Sequence, residues 1–213
     1  MSTGSSNDAI ARLRSVALVG LVLAAGLAVW AAVSHRQEGS GLPKYSQLPA
    51  FQLTGQDGKP WSSAKLDGKV WIASFVFTTC KNSCPMLSLQ MKRLSGSLPL
   101  GDGFALVSFT VDPDHDTPAR LREYAKAMGA DDPRWVFLTG SKKDLKNLIM
   151  GGFKLTAEPG DKERDERGNP DILHSSKLVL VDKHGMVRGY YDGLLGSSVE
   201  AIRRDAQRVA KEQ

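Results

Sequence analysis

The sequence contains little cysteine, no internal repeat and no strong excess of one charge. Its 213 residues include two cysteines, too few for the disulfide framework of a small extracellular scaffold. The 28 Lys and Arg residues nearly balance 23 Asp and Glu residues, and they form no basic patch interleaved with aromatic residues, so we expect no nucleic-acid partner. The absence of a repeat excludes a solenoid or propeller. With 41% hydrophobic and 24% charged residues, the chain has the composition of a globular protein.

Charged residues are also absent from residues 16–33, an apolar run near the N-terminus. In a helix this run rises about 27 Å, close to the roughly 30 Å thickness of the hydrocarbon core of a bilayer. Arg12 and Arg14 precede the run, so the positive-inside bias places the N-terminus in the cytoplasm. The sequence therefore predicts a single-pass membrane protein whose C-terminal part is exported.

This interpretation divides the chain into four parts. They are a cytoplasmic segment (residues 1–15), a transmembrane anchor (residues 16–33), a tether (residues 34–47) and a periplasmic or otherwise extracytoplasmic domain (residues 48–213). A cleaved secretory signal is the alternative to an anchor, because Val29-Trp30-Ala31 fits a cleavage site. Both alternatives export the domain.

Within the exported part, β-type and helical patterns alternate. The predicted strands are residues 69–78, 104–111, 135–139, 177–182 and 186–191, and predicted helices follow the first three strands and the last one. The alternation predicts an α/β fold with a central mixed sheet flanked by helices. A strand, then cysteines, then a helix fits a thioredoxin-like arrangement best.

The two cysteines stand at the junction of the first of these strands and its helix. Cys80 follows the strand and Cys84 begins the helix, at the sheet edge where ligand sites of open α/β folds gather. A helix N-terminus favours thiolate over thiol, and the thiolate is both the nucleophile and the metal-binding form. Three residues separate the cysteines, whereas thioredoxin-type reductases have two. Dithiol exchange, peroxide reduction and metal binding all remain open for such a pair.

Among four histidines, His174 is the candidate third ligand. It precedes the predicted strand at residues 177–182, whose entry can face Cys80. Two thiolates and an imidazole form a soft, low-coordinate set suited to Cu(I), with Cu(II) accommodated if another ligand joins. Zinc would want a fourth protein ligand, and none is evident. The alternative for His174 is a structural histidine; His184 lies in a predicted hairpin turn and His35 beside the predicted anchor.

Four motifs follow one another over roughly residues 45–212. They are Phe75-x-x-Thr78-x-Cys80-x-x-x-Cys84-Pro85, Val111-Asp112-Pro113 with Asp116-Thr117-Pro118, Trp135-Val136-Phe137-Leu138-Thr139-Gly140, and Leu173-His174-Ser175-Ser176. In this order they resemble the motifs of the Sco/SenC family of copper-binding cytochrome oxidase assembly proteins.

The resemblance implies a copper chaperone on a thioredoxin-like fold, not an enzyme, with Cys80, Cys84 and His174 as the metal ligands. It implies cytochrome c oxidase subunit II, or a similar copper acceptor, as a partner, together with other copper chaperones or thiol reductases. The alternative function is an exported thiol–disulfide oxidoreductase without a metal role; a peroxide-sensing domain is a third.

The chain departs from the family pattern in two places. The family often has Pro-Asp between its cysteines, where this chain has Lys81-Asn82-Ser83, a change that could alter copper affinity or redox poise. An arginine usually precedes the family's Asp-Thr-Pro, and His115 replaces it here. His115 is thus a minor candidate for assisting the metal, although helix-capping and loop roles explain Asp112, Asp114, His115 and Asp116 more simply.

Overall fold

The computed structural model describes residues 24–27, 41–81, 83–155 and 175–212. The chain forms two compact units, Met1–Gly41 and Leu42–Gln213. In the first, residues 24–27 are helical, and most of the predicted anchor at residues 16–33 lies outside the described residues. No helix within the described ranges is both long and apolar enough to cross a bilayer.

The second unit is built on one mixed sheet of eight strands, in the order β1-β8-β7-β4-β5-β6-β2-β3. The strands are β1 (Ser46–Gln47), β2 (Gln52–Gly55), β3 (Pro60–Ser62), β4 (Val70–Val76), β5 (Phe104–Thr110), β6 (Trp135–Thr139), β7 (Lys177–Val181) and β8 (Met186–Asp192). Strands β4, β5 and β6 are parallel, and the pairings on both sides of them are antiparallel. The predicted mixed sheet is confirmed.

Within the described residues of this unit, the α-helices that flank the sheet are α1 (Ser83–Ser97), α2 (Pro118–Ala127), α3 (Lys142–Lys146) and α4 (Ser197–Lys211). A 3-10 helix spans Ser63–Leu66, and α3 continues directly into a π-helix at Asn147–Gly152. Thr117 is the N-cap of α2, where its side chain accepts a hydrogen bond from the Arg120 amide, and Pro118 follows as the first helical residue.

Alternating side chains of the central strands supply two hydrophobic cores, one on each face of the sheet. In β4, Val70, Ile72 and Val76 lie in the core under α1, α2 and α4, while Trp71 and Phe75 lie in the core under α3 and the π-helix. This alternation follows from the period of two in a pleated strand. Because both faces are covered, β4 is buried along its whole length and reads as a continuous apolar run.

The folded unit begins before the predicted domain start at residue 48. Ser46–Gln47 pairs with β8, and the buried Arg188 donates hydrogen bonds to the carbonyl oxygens of Leu42 and Pro43. The same guanidinium contacts the carboxylates of Asp182 at 3.0 Å and of Glu212 at 2.6 Å. Residues 42–47 of the predicted tether are therefore part of the globular unit.

The C-terminal end of α1 is held by an ion pair in the loop before β6. Arg134 contacts the Asp132 carboxylate at 2.6 Å and donates to the carbonyl oxygens of Ser95 and Pro99, while the Ser95 hydroxyl donates to Asp132. These donors, chiefly the Arg134 side chain, lower the pKa of Asp132 from 3.8 to about 2.

We predict that Asp132 stabilises the fold only above acidic pH. A carboxyl group whose pKa is depressed by folding contributes stability above its unfolded pKa of 3.8, and this contribution is lost as the pH falls toward about 2. In urea titrations, Asp132→Asn should lower the free energy of unfolding at pH 6, and the difference from wild type should shrink between pH 4 and pH 2.5. The exposed neighbour Asp131 provides the matched control, Asp131→Asn. A difference that stays constant down to pH 2.5 would contradict the prediction.

Candidate metal centre

Cys80 and Cys84 lie at the junction between β4 and α1. A turn follows β4, closed by a hydrogen bond from the Cys80 amide to the Phe77 carbonyl oxygen at 3.2 Å. Cys84 is the second residue of α1. No disulfide joins the two cysteines in this structure, and both residues are buried, with exposed fractions of 7% for Cys80 and 1% for Cys84. The sequence prediction that places both at the carboxyl edge of the parallel strands is confirmed.

The sulfur of Cys80 accepts hydrogen bonds from the start of the helix. The Cys84 amide donates to the Cys80 Sγ at 3.4 Å, and the Ser83 Oγ lies 3.7 Å from the same sulfur. The side-chain hydrogen bond with Cys80, and then burial, raise the pKa of the Cys84 thiol well above its usual value. At Cys84 these effects outweigh the thiolate-favouring helix terminus expected from the sequence.

Asp116 ties together the loops that follow β4 and β5. Its fully buried carboxylate accepts hydrogen bonds from the Thr78 amide at 3.2 Å, the Thr78 hydroxyl at 2.5 Å and the Thr110 hydroxyl at 2.5 Å. Thr78 lies two residues before Cys80, so this carboxylate fixes the path of the chain into the cysteine turn. Burial raises the pKa of Asp116, and the three donors oppose the rise.

The sequence predicts a cap and a first-turn proline at Asp116-Thr117-Pro118 and assigns capping and loop roles to Asp116 itself; the structure confirms the cap and shows the loop role for Asp116. The capping side chain of α2 is that of the next residue, Thr117. Short polar residues before a first-turn proline are typical of caps, and only the fold reveals that one of them points instead between two strands. The threonines at the ends of β4 and β5 were the available signal, since each offers a hydroxyl donor near the same sheet edge.

The hydroxyl groups of Ser88 and Tyr124 form a pair one helical turn beyond Cys84. Ser88, four residues later on α1, is buried, and its hydroxyl lies 2.9 Å from that of Tyr124 on α2. Burial is the main cause that raises the pKa of Tyr124, and the nearby Cys84 and Cys80 sulfurs add to the rise. Tyr124 therefore packs within electrostatic range of the cysteine pair, and sequence reasoning missed it because its helical spacing reads as core.

The predicted ligand His174 lies outside the described residues, as does His35. His115 has its Nδ1 2.7 Å from the Asp112 carboxylate, in the loop after β5, and His184 is exposed in the turn between β7 and β8. Within the ranges that the structure describes, no three His, Cys, Asp or Glu side chains are close enough together to hold a metal ion.

We predict that removal of the Asp116 carboxylate destabilises the fold and loosens the cysteine turn. Asp116→Ala leaves the buried Thr110 hydroxyl and the half-buried Thr78 hydroxyl and amide without their acceptor, and we expect the free energy of unfolding to fall by about 2–4 kcal/mol. The control is Asp114→Ala, whose side chain is 69% exposed and pairs with Lys142 only at 3.9 Å, so it should change stability by less than about 0.5 kcal/mol. Urea unfolding of both variants is the measurement; equal effects would contradict the assigned role.

Comparison with known proteins agrees with this architecture. A family model described as SCO1/SenC matches residues 41–211. The crystal structure of a SCO1/SenC family lipoprotein from Bacillus anthracis is 33% identical, with a TM-score of 0.65 over 78% of this chain and 96% of that chain. BsSco, described as a member of the Sco family of cytochrome c oxidase assembly proteins with a disulfide switch, is 27% identical, with a TM-score of 0.68 over 82% and 100% of the two chains.

Yeast Sco1 with copper bound is 25% identical, with a TM-score of 0.55 over 79% of this chain and 96% of that chain. The mixed sheet and its flanking helices fit the Sco thioredoxin-like fold. The chain belongs to the SCO1/SenC family.

Proposed function

We propose that this chain is a copper metallochaperone that holds one copper ion through Cys80, Cys84 and His174. Its cargo passes to a copper acceptor such as the binuclear site of cytochrome c oxidase subunit II, by exchange of ligands between the two proteins. Other copper chaperones or thiol reductases supply the metal or keep the sulfurs reduced. The protein's task is delivery rather than catalysis of a reaction of its own.

The observation that carries the proposal is the meeting of two reduced sulfurs at the start of α1. The Cys84 amide reaches the Cys80 Sγ at 3.4 Å, so the two residues share one short turn. Two thiolates in one place suit a soft monovalent ion, because Cu(I) prefers sulfur ligands and low coordination numbers. The family membership and the copper held by yeast Sco1 agree with this donor set.

The register of β7 supports His174 as the third ligand. This strand runs antiparallel to β4, with Ala73 opposite Val179 and Trp71 opposite Val181. Its first residue, Lys177, therefore lies toward the end at which β4 stops, the end that leads to Cys80. Ser175, the neighbour of His174 in the chain, is buried at that edge, and its hydroxyl accepts from the Lys177 amide at 3.3 Å.

The same sulfurs can also carry out thiol–disulfide exchange, which is the second candidate function. Oxidation of the pair removes two electrons and two protons and forms one Sγ–Sγ bond, and a disulfide has no thiolate left to bind copper. A disulfide switch is described for BsSco, a protein of the same family. Metal binding and dithiol chemistry therefore exclude one another at any moment, while both require the reduced pair.

Residues 16–33 serve in this proposal as the membrane anchor and residues 34–41 as the tether, with residues 1–15 in the cytoplasm. The globular unit then lies on the periplasmic or other extracytoplasmic side. Exported location suits a protein that serves the copper sites of a respiratory oxidase. The similarity to a SCO1/SenC lipoprotein is consistent with membrane attachment by some route.

We predict about one copper per chain after anaerobic loading with Cu(I), with the metal lost on substitution of any ligand. Cys80→Ala, Cys84→Ala and His174→Ala should each weaken copper affinity by more than about tenfold, since even residues that only orient a ligand have effects of 10–100-fold. His184→Ala is the matched control, because this exposed histidine lies in the β7–β8 turn and should leave affinity unchanged. Competition with a chromophoric Cu(I) chelator measures all four.

Full copper affinity in His174→Ala would refute the three-ligand site. A wild-type chain that binds no copper, but whose cysteine pair has a reduction potential low enough to reduce exported disulfides, would favour the oxidoreductase function instead.

A further inference from the structure

The last residue between the two cysteines places a hydroxyl group beside the Cys80 sulfur. Ser83 is the first residue of α1 and is half-buried. Its Oγ lies 3.7 Å from the Cys80 Sγ, the same sulfur that accepts a hydrogen bond from the Cys84 amide at 3.4 Å. One short side chain therefore contacts one of the two sulfurs that form the disulfide on oxidation.

A hydroxyl in this position stabilises the reduced pair whichever protonation state the sulfurs adopt. A thiolate accepts a hydrogen bond from the Ser83 O–H, whereas a thiol can donate its S–H to the Ser83 Oγ. A disulfide offers neither interaction in comparable strength, because it has no proton to donate and its sulfurs are weak, uncharged acceptors. The Cys84 amide, which donates to the Cys80 Sγ at 3.4 Å, is a fixed backbone donor and cannot be varied by sequence.

We propose that Ser83 is a positioning residue that sets the reduction potential of the Cys80–Cys84 pair and, in the loaded protein, the electron density that Cys80 presents to copper. The second part rests on the proposed copper site; the first part depends only on the two sulfurs and is measured without metal. Lys81, by contrast, is exposed, whereas Ser83 is half-buried and its Oγ contacts the Cys80 Sγ.

The redox step that reports on Ser83 is exchange with glutathione. The two thiols of the chain and one glutathione disulfide give one Cys80–Cys84 disulfide and two molecules of glutathione, so the chain loses two electrons and two protons and glutathione disulfide gains them. Loss of the Ser83 hydroxyl removes a stabilising contact from the reduced chain and removes little from the chain with the Cys80–Cys84 disulfide. The variant should therefore be oxidised more readily than the wild type.

The test uses the metal-free full-length protein equilibrated with glutathione redox buffers. Ser83→Ala should raise the equilibrium constant for oxidation by about three- to tenfold, and tenfold corresponds to a potential about 30 mV lower. Ser83→Thr keeps the hydroxyl and should restore the wild-type value to within about twofold. Ser97→Ala is the matched control at the other end of α1, since the Ser97 hydroxyl donates to the Leu94 carbonyl oxygen and touches neither sulfur.

A second measurement separates this inference from a general weakening of the fold and from the copper proposal. In Cu(II)-loaded protein, Ser83→Ala should shift the sulfur-to-copper charge-transfer band to lower energy, because a thiolate that has lost a hydrogen bond is the better electron donor. Ser83→Ala with an unchanged glutathione equilibrium, or Ser97→Ala with an equal shift, would overturn the inference. If the wild type binds no copper, the copper proposal fails, and the glutathione measurement still decides the role of Ser83.

Discussion

The position of the cysteine pair depends on one buried carboxylate. Asp116 accepts hydrogen bonds from Thr78 after β4 and from Thr110 at the end of β5, so it closes the gap between two parallel strands at their carboxyl ends. Parallel pairing brings these ends to one edge but leaves the loops beyond them without ladder hydrogen bonds. Only one residue separates Thr78 from Cys80. With Thr78 held in place, the turn positions the Cys80 sulfur to accept a hydrogen bond from the Cys84 amide in the first turn of α1.

Burial of the two cysteines then disfavours the charged, thiolate form of their sulfurs. The side-chain hydrogen bond with Cys80, and then burial in this nearly inaccessible site, raise the pKa of the Cys84 thiol. Two adjacent thiolates without a counter-charge would repel one another, and protonation neutralises that charge. Under the proposed function, a cation takes over this neutralising role and the protons leave, because ligands must be deprotonated to bind metal. Oxidation is the other route that removes the charge, which is why the two functions compete for one site.

Hydrophobic patterning predicted the central strands, since β4 and β5 are buried on both faces and β6 matches its predicted bounds of residues 135–139. The β2–β3 hairpin was not predicted. Its strands are short and its segment, residues 52–62, contains two glycines and a proline, so pairing with β6 rather than local preference makes it part of the sheet. The roles of Asp116 and of Arg188 were likewise hidden, because both depend on partners far along the chain.

The antiparallel insertion of β7 next to β4 is the topological feature that makes a distant third ligand feasible. A parallel strand at this place would enter the sheet at the edge opposite the cysteines, and the residues before it would lie a full strand length away. The observed pairing of Ala73 with Val179 reverses the direction, so the entry to β7 lies toward the end of the sheet at which β4 stops. Residues about a hundred positions apart in sequence then share one edge. Under the proposed function, this strand direction is what allows the Cys-x-x-x-Cys turn and the histidine motif to serve one ion.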